Sequence, residues 1–246
     1  MNWGASGVKG LRARLFAGTP TDWQRYHKLI AERLAPGMTI LDVGCGKGSI
    51  SPFPWQDYPD KYLVGIDPDP AASQNPYLDR LVLLRNRGDY QDWPLNGQSF
   101  DLVTARYVVE HIDSPSEFLG NVRRALKPGG QFVFLTPNSL HPAMVVSRVL
   151  PHSTKERILG ATRRGLDMGD VFPTRYRMNT SGALRRQAAK SGLRVKQLEV
   201  REHQPVGYLD FSVPTFWLAY SYYRTMKWSH LQRWFGSSII GIMERP

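Results

Sequence analysis

Three glycines at alternate positions, Gly44, Gly46 and Gly48, follow a short apolar run that ends in Asp42-Val43. Glycines there permit a tight turn and let a ligand lie against bare backbone. A helix starting after such a turn would aim its free N–H groups at an anionic ligand group. Asp42 is placed to hold a cationic amino group, directly or through the loop. Asp67 comes 25 positions later, in VGIDPDP, where a carboxylate at a strand end can accept both hydroxyls of a ribose. Asp89, in Gly88-Asp89-Tyr90, is suited to accept the exocyclic amine of adenine. FDLVTARYVVEHI, residues 100–112, leaves a fourth apolar run beside them. Each element alone is weak, since a lone glycine loop is often only a turn and a lone Asp often only a helix cap. Four in order, each at a strand end, point to a nucleoside site. The dinucleotide fingerprint G-x-G-x-x-G is not met, because Ser49 stands where its third glycine would fall.

These tips converge only if parallel strands carry them. Short apolar runs at 39–43, 62–67, 81–86, 100–105 and 131–137 read as five strands, and 193–200 and 237–244 as two more. Residues 20–35 read as a helix capped by Thr21, with an apolar stripe of Trp23, Tyr26, Leu29, Ile30 and Leu34. Further helices are expected at about 114–127, closed by Lys127-Pro128-Gly129-Gly130, and at 180–191. Strands alternating with helices or connecting loops predict an α/β, Rossmann-like doubly wound sheet with helices on both faces. Residues 1–37 are expected to form a basic segment and a helix packing on the core. Residues 38–246 then form the main domain, with acceptor-side insertions at about 138–178 and 205–236.

Together, LDVGCGKGS, VGIDPDP, FDLV…VEHI and LKPGGQFVFLTPN resemble the motifs of the class I S-adenosylmethionine-dependent methyltransferases, of the broad type that includes the ubiquinone-biosynthesis O-methyltransferases. The resemblance covers about residues 38–138 and is weaker from 170 to 200. It implies a seven-stranded sheet, mostly parallel with the last strand antiparallel, and S-adenosyl-L-methionine as cofactor. It also implies that Asp42, Gly44, Cys45, Gly46 and Gly48 wrap the methionine part, that Asp67 with Pro68 holds the ribose, and that Asp89 and Tyr90 meet the adenine. Arg106 falls where a backbone carbonyl of the family meets the amino group.

Methyl transfer from a sulfonium is an in-line displacement, so alignment of donor and acceptor does most of the work, roughly 7–11 kcal/mol. A hydroxyl acceptor also needs a base. His111, just past the fourth strand, is the first candidate and His141, after the fifth, the second. The bland reading of either is a structural histidine that caps or hydrogen-bonds its loop. Tyr107 and Tyr176 are candidates for shaping the acceptor pocket. Some quinone O-methyltransferases carry E-x-x-E-H at this point and bind a divalent metal. Here Tyr107 takes the first ligand position, so no catalytic metal is expected. VFPTRYRMNT, residues 171–180, is similar to stretches in family members linked to glycan or lipid-linked saccharide synthesis. In an extended chain, Arg175 and Arg177 would face one way and clamp a carboxylate or phosphate.

Of the net charge of +11, residues 145–201 contribute +9, with 13 basic and 4 acidic side chains. Such a field suits an anionic acceptor, an acidic membrane surface or RNA, and equally a merely solvated surface. Residues 208–235 hold 10 of the 28 aromatic side chains, broken by Asp210, Pro214, Arg224 and Lys227, so they are no clean membrane span. They suit a lid, a dimer contact, core packing or peripheral contact with a membrane. Cys45 is the only cysteine, and MNWGASGVKGLRARLF lacks the apolar core of a secretion signal, so a cytoplasmic protein is expected. The leading reading is an enzyme that methylates a small-molecule or lipid- or saccharide-linked acceptor on oxygen. An RNA methyltransferase and a non-catalytic S-adenosylmethionine-binding protein stand as alternatives. No RNA-binding module is recognisable, so nucleic acid is not the expected partner. The acceptor and the oligomeric state are not legible.

Overall fold

The computed structural model describes residues 5–49, 52–84, 90, 92–149, 173–205, 209–210 and 212–246. Seven strands form one sheet: β1 (Thr39–Val43), β2 (Tyr62–Asp67), β3 (Arg80–Leu83), β4 (Phe100–Arg106), β5 (Leu126–Pro137), β6 (Arg194–Arg201) and β7 (Ser238–Glu244). Their order is β3-β2-β1-β4-β5-β7-β6, with helices flanking the sheet and the last strand antiparallel. The order reverses between β1 and β4, and ligands of such sheets bind outside the carboxyl ends at that point. The register is informative there. Val43 pairs with Ile66 of β2 on one side and with Ala105 of β4 on the other. The next residues, Gly44, Asp67 and Arg106, therefore stand in one row along the carboxyl edge.

The central strands are apolar almost throughout, as strands covered on both faces must be. Helix α2 (Asp22–Ala31) lays Tyr26, Leu29 and Ile30 against Ile40, Leu63, Leu102, Val133 and Ile240. Helix α3 (Pro115–Ala125) buries Phe118, Leu119, Val122 and Ala125, one helical stripe. Each fully buried Leu, Ile, Val or Phe among them contributes about 1.5–3 kcal/mol. Helix α5 (Ser181–Lys190) starts at Thr180, whose Oγ1 accepts the Ala183 N–H at 3.1 Å.

The chain divides into two compact units. The first comprises Asp22–Pro137, Phe172–Glu199 and Ile239–Pro246, hence nearly all of the sheet with α2, α3 and α5. The second comprises Met1–Thr21, Asn138–Val171 and Val200–Ser238, which include α1 (Ala5–Leu15), α4 (Pro142–Val149), α6 (Val213–Trp228) and α7 (Gln232–Phe235). Its core is Val8, Phe16 and Phe216, with Leu11, Val213, Tyr220 and Tyr223 packed alongside. Arg12 donates to both carboxylate oxygens of Asp210, at 3.0 and 2.7 Å. Within the segment expected as 1–37, α2 thus belongs to the unit of the sheet and residues 1–21 to the other. No helix among the described residues is long and apolar enough to cross a membrane.

Two local expectations are corrected. No helix begins between Gly48 and Pro54 among the described residues; the first helical turn is a short 3-10 turn at Trp55–Asp57. Pro52 and Pro54 lack an N–H and disfavour helical backbone just before them. The stretch Lys127–Gly130 is not a turn ahead of the fifth strand. β5 already starts at Leu126, and its register against β4 shifts between Phe100 and Leu102 to absorb these residues.

Candidate active site

Gly44, Gly46 and Gly48 all adopt positive φ, at 70°, 50° and 68°. At Gly44 a side chain is excluded twice over, because a Cβ there would also collide with Val108 Cγ2. At Gly46 no described atom lies within 4 Å of where a Cβ would stand, so the backbone presents an open face. The loop is held from β2. The Gly46 N–H donates to Asp67 Oδ2 at 2.8 Å, and the Asp69 N–H donates to Asp67 Oδ1 at 2.8 Å. These bonds take two of about four acceptor positions of the carboxylate. Asn75 Nδ2 donates to the carbonyls of Cys45 and Gly46 at 3.1 and 3.0 Å. Side-chain bracing by Asp67 and Asn75 replaces the helix N-terminus that the sequence suggested. Pro68 is buried between Asp67 and the 3-10 turn Pro70–Gln74.

Cys45 points inward. Gly65 of β2 makes room for it, since a Cβ on Gly65 would lie 2.6 Å from Sγ. Burial pushes its thiol pKa up, so the group is a neutral packing element. Asp42 pairs in register with Thr104 of β4, whose hydroxyl donates to Asp42 Oδ1 at 2.7 Å. Burial raises the Asp42 carboxyl to about 6, against the opposing pull of Thr104 and the Arg106 cation. Tyr90 is buried, with its hydroxyl 3.3 Å from where a Gly44 Cβ would stand. Its carbonyl accepts from Trp93 Nε1 at 2.8 Å and Asn121 Nδ2 at 3.2 Å. Asp89 lies outside the described residues.

The end of β4 carries a second cluster. Arg106 lies 4.5 Å above the ring of Trp23, and Trp23 Nε1 donates to the Tyr107 hydroxyl at 3.0 Å. Tyr107 has φ 58°, uncommon for a bulky residue, and its N–H donates to the Leu135 carbonyl at 2.8 Å. Glu110 is buried; Oε2 accepts the Thr136 hydroxyl at 3.0 Å, and Asn179 Nδ2 donates to Thr136 Oγ1 at 2.6 Å. Burial raises the Glu110 carboxyl to about 7. The Glu110 carbonyl accepts the N–H groups of Arg175 and Tyr176, at 2.7 and 3.0 Å. His111 Nδ1 lies 3.0 Å from the Pro173 carbonyl. That carbonyl only accepts, so Nδ1 carries the proton and Nε2 is the basic nitrogen. Burial also lowers the His111 pKa.

Residues 173–176 are thereby stitched to the turn after β4, with the Tyr176 backbone on Glu110 and the Pro173 carbonyl on His111. The expected pair of arginines does not form. Tyr176 has φ 52°, which breaks the extended run, so Arg175 and Arg177 do not share a face. Arg175 Nε instead pairs with Asp113 Oδ1 at 3.1 Å, and Arg177 is exposed. His141 lies in the other unit and is buried. Its Nδ1 accepts the Ala143 N–H at 3.2 Å, and Nε2 is 3.4 Å from Glu202 Oε2. Both nitrogens face protein groups, so the geometry is structural and argues against His141 as the base. No group of three or more His, Cys, Asp or Glu residues able to hold a metal occurs among the described residues. Trp23, Asn75, Thr104, Thr136 and Asn179 were not singled out by sequence reasoning. Only Trp23 carried a signal, its place on the stripe of α2.

The family described as "Methyltransferase domain" matches residues 15–198, about three quarters of the chain. The chain belongs to the class I S-adenosylmethionine-dependent methyltransferases. The chain is similar to a demethylmenaquinone methyltransferase from Symbiobacterium thermophilum, 31% identical over 124 residues, covering 46% of this chain and 49% of that protein. It is similar to the mitochondrial ubiquinone biosynthesis O-methyltransferase of Rattus norvegicus, 31% identical over 145 residues, covering 55% and 40%. The chain spans about half the length of the curated relatives it matches. Its fold resembles that of a geranyl diphosphate C-methyltransferase from Streptomyces coelicolor A3(2), with TM-score 0.53, 13% identity and coverage of 98% of this chain and 84% of that one.

Proposed function

We propose that this methyltransferase moves a methyl group from S-adenosylmethionine to an oxygen of a small-molecule or lipid- or saccharide-linked acceptor. The observation that carries the reading is the hydrogen bond between the Gly46 N–H and Asp67 Oδ2, which joins the glycine turn to the acid at the tip of β2. The residues present fit the cofactor. Open backbone at Gly46 suits the methionine part, Asp42 suits its ammonium group, and Asp67 suits the ribose hydroxyls. When bound, the cofactor supplies a methyl carbon already activated by a sulfonium. The protein must align the acceptor oxygen, keep water out and remove the hydroxyl proton. His111 is the base in this reading. Its proton sits on Nδ1, so Nε2 would take the proton that the acceptor hydroxyl gives up. Tyr107 and Tyr176, both held in left-handed backbone, line the acceptor side. Left-handed backbone at bulky residues is costly and concentrates at ligand sites. Transfer to oxygen is also what the name of the Rattus relative states of that protein.

The test uses purified protein, methyl-labelled cofactor and cell extract. Label in an organic-soluble small product supports the reading. Label in RNA moves the activity to nucleic acid, for which the strong positive charge is the specific motive. Tight cofactor binding with no labelled product in any fraction defeats catalysis.

A further inference from the structure

Helix α6 presents two unlike faces. On one, Phe216, Ala219 and Met226 are buried, and Phe16 meets Tyr220 and Tyr223 edge-on at 6.1 and 5.2 Å. Those contacts absorb the inner aromatic residues into the core with α1. The other face leaves Trp217, Leu218 and Trp228 exposed at 42%, 66% and 85%, at helical spacing. Helix α7 continues the patch with Leu231, Trp234 and Phe235, exposed at 40%, 52% and 39%. Six of the eleven exposed large apolar side chains among the described residues thus fall within 19 positions. So dense an apolar surface marks an interaction site.

The charges around it identify the partner. Residues 212–235 contain Arg224, Lys227 and Arg233 and no Asp or Glu. Lys227 Nζ lies 5.5 Å from the Tyr223 ring, and the Arg233 guanidinium lies 6.0 Å from the Trp234 ring. The unit that carries α6 and α7 has 12 basic and 5 acidic side chains, net +7 of the chain's +11. A second copy seated on the same face would oppose two net-cationic patches about a two-fold axis, which repel. Tryptophan beside cationic side chains is the pairing that suits the boundary between headgroups and acyl chains. With 16 residues, α6 is suited to lie in that boundary rather than cross it.

We propose that the outer face of α6 and α7 docks on an anionic phospholipid surface, with Trp228 and Trp234 entering the headgroup region. Docking is independent of methyl transfer and is measured without cofactor. The full chain is mixed with vesicles of phosphatidylcholine alone or with one third phosphatidylglycerol, and bound protein is read by sedimentation and tryptophan fluorescence. Binding is expected to the anionic vesicles only, with a blue shift, and to weaken at least tenfold at high salt. W228A/W234A is expected to lower partitioning at least tenfold, and R224E/K227E similarly, with the melting temperature and cofactor affinity unchanged. These positions are exposed or half-buried, so folding is preserved. No binding of the intact chain to anionic vesicles at low salt overturns the proposal. So does a W228A/W234A protein that binds vesicles normally but loses self-association or capture of an acidic protein.

Discussion

Gly46 and Asp67, 21 positions apart, are joined by a 2.8 Å hydrogen bond from the backbone of one to the carboxylate of the other. Asp67 is almost fully buried and also holds the Asp69 N–H, so it shapes the turn it serves. Asp67→Ala is therefore expected to act twice. Cofactor affinity should fall about 100-fold or more, which is about 2.7 kcal/mol. The melting temperature should also drop, because orphaned backbone donors cost on the order of 1–3 kcal/mol. Calorimetric titration with S-adenosylhomocysteine and a thermal melt read the two effects separately. An unchanged affinity would defeat the placement of the cofactor.

Asp42 stands at about 6 through burial. An ammonium ligand needs the ionised form. Affinity for S-adenosylhomocysteine should thus rise as pH increases from 5 to 7, with its inflection near 6 before ligand addition. Asp42→Asn should bind more weakly and show no inflection in that range. A wild-type affinity independent of pH would remove Asp42 from the amino-group site.

The His111 pKa is lowered by burial. A base must be neutral to act, so the acid limb of kcat/KM should fall below about 6.5, the ordinary histidine value. His111→Gln should lower kcat by roughly 10²–10⁴ while leaving cofactor affinity intact. A variant of full activity would place the base elsewhere.

Glu110 titrates at about 7 in the folded protein, against the ordinary value of 4.5. Between those values the folded chain binds the extra proton. Stability contributed by this group is therefore present below pH 4.5 and is lost as pH rises to about 7. The loss is on the order of 3 kcal/mol. Glu110→Gln keeps an acceptor for the Thr136 hydroxyl and should flatten this part of the melting-temperature profile. An identical slope in the variant would assign the dependence to another group.

The sheet was legible because its strands are short apolar runs with chemistry at their ends. β1 and β2 fall on the residues expected, and β4 extends one further. The pairing of Val43 with both Ile66 and Ala105 follows from the switch in strand order, and it brings Asp67 and Arg106 to the glycine turn. The bracing of that turn was not legible. Asn75 reaches the turn across 29 positions from outside every motif, and Thr104, inside the fourth motif, meets Asp42 across 62 positions that local sequence does not relate. The helix expected after Gly48 failed because two prolines outweigh the habit of glycine turns. His141 was the second candidate after His111, each placed just past a strand. Only the fold separates them, by turning both nitrogens of His141 toward Ala143 and Glu202. The conformations of Tyr107 and Tyr176 likewise depend on contacts with Leu135 and Glu110 that local sequence does not encode.

Because β7 lies between β5 and the edge strand β6, β5 lacks a neighbour on one side and β6 lacks any until residues 238–244 leave the ribosome. The nascent chain thus carries open strand edges for much of its synthesis, and such edges invite pairing with other chains. A short peptide with the sequence of β7 should compete for that slot during refolding, and the protein's vulnerability to aggregation should peak before its last strand is made.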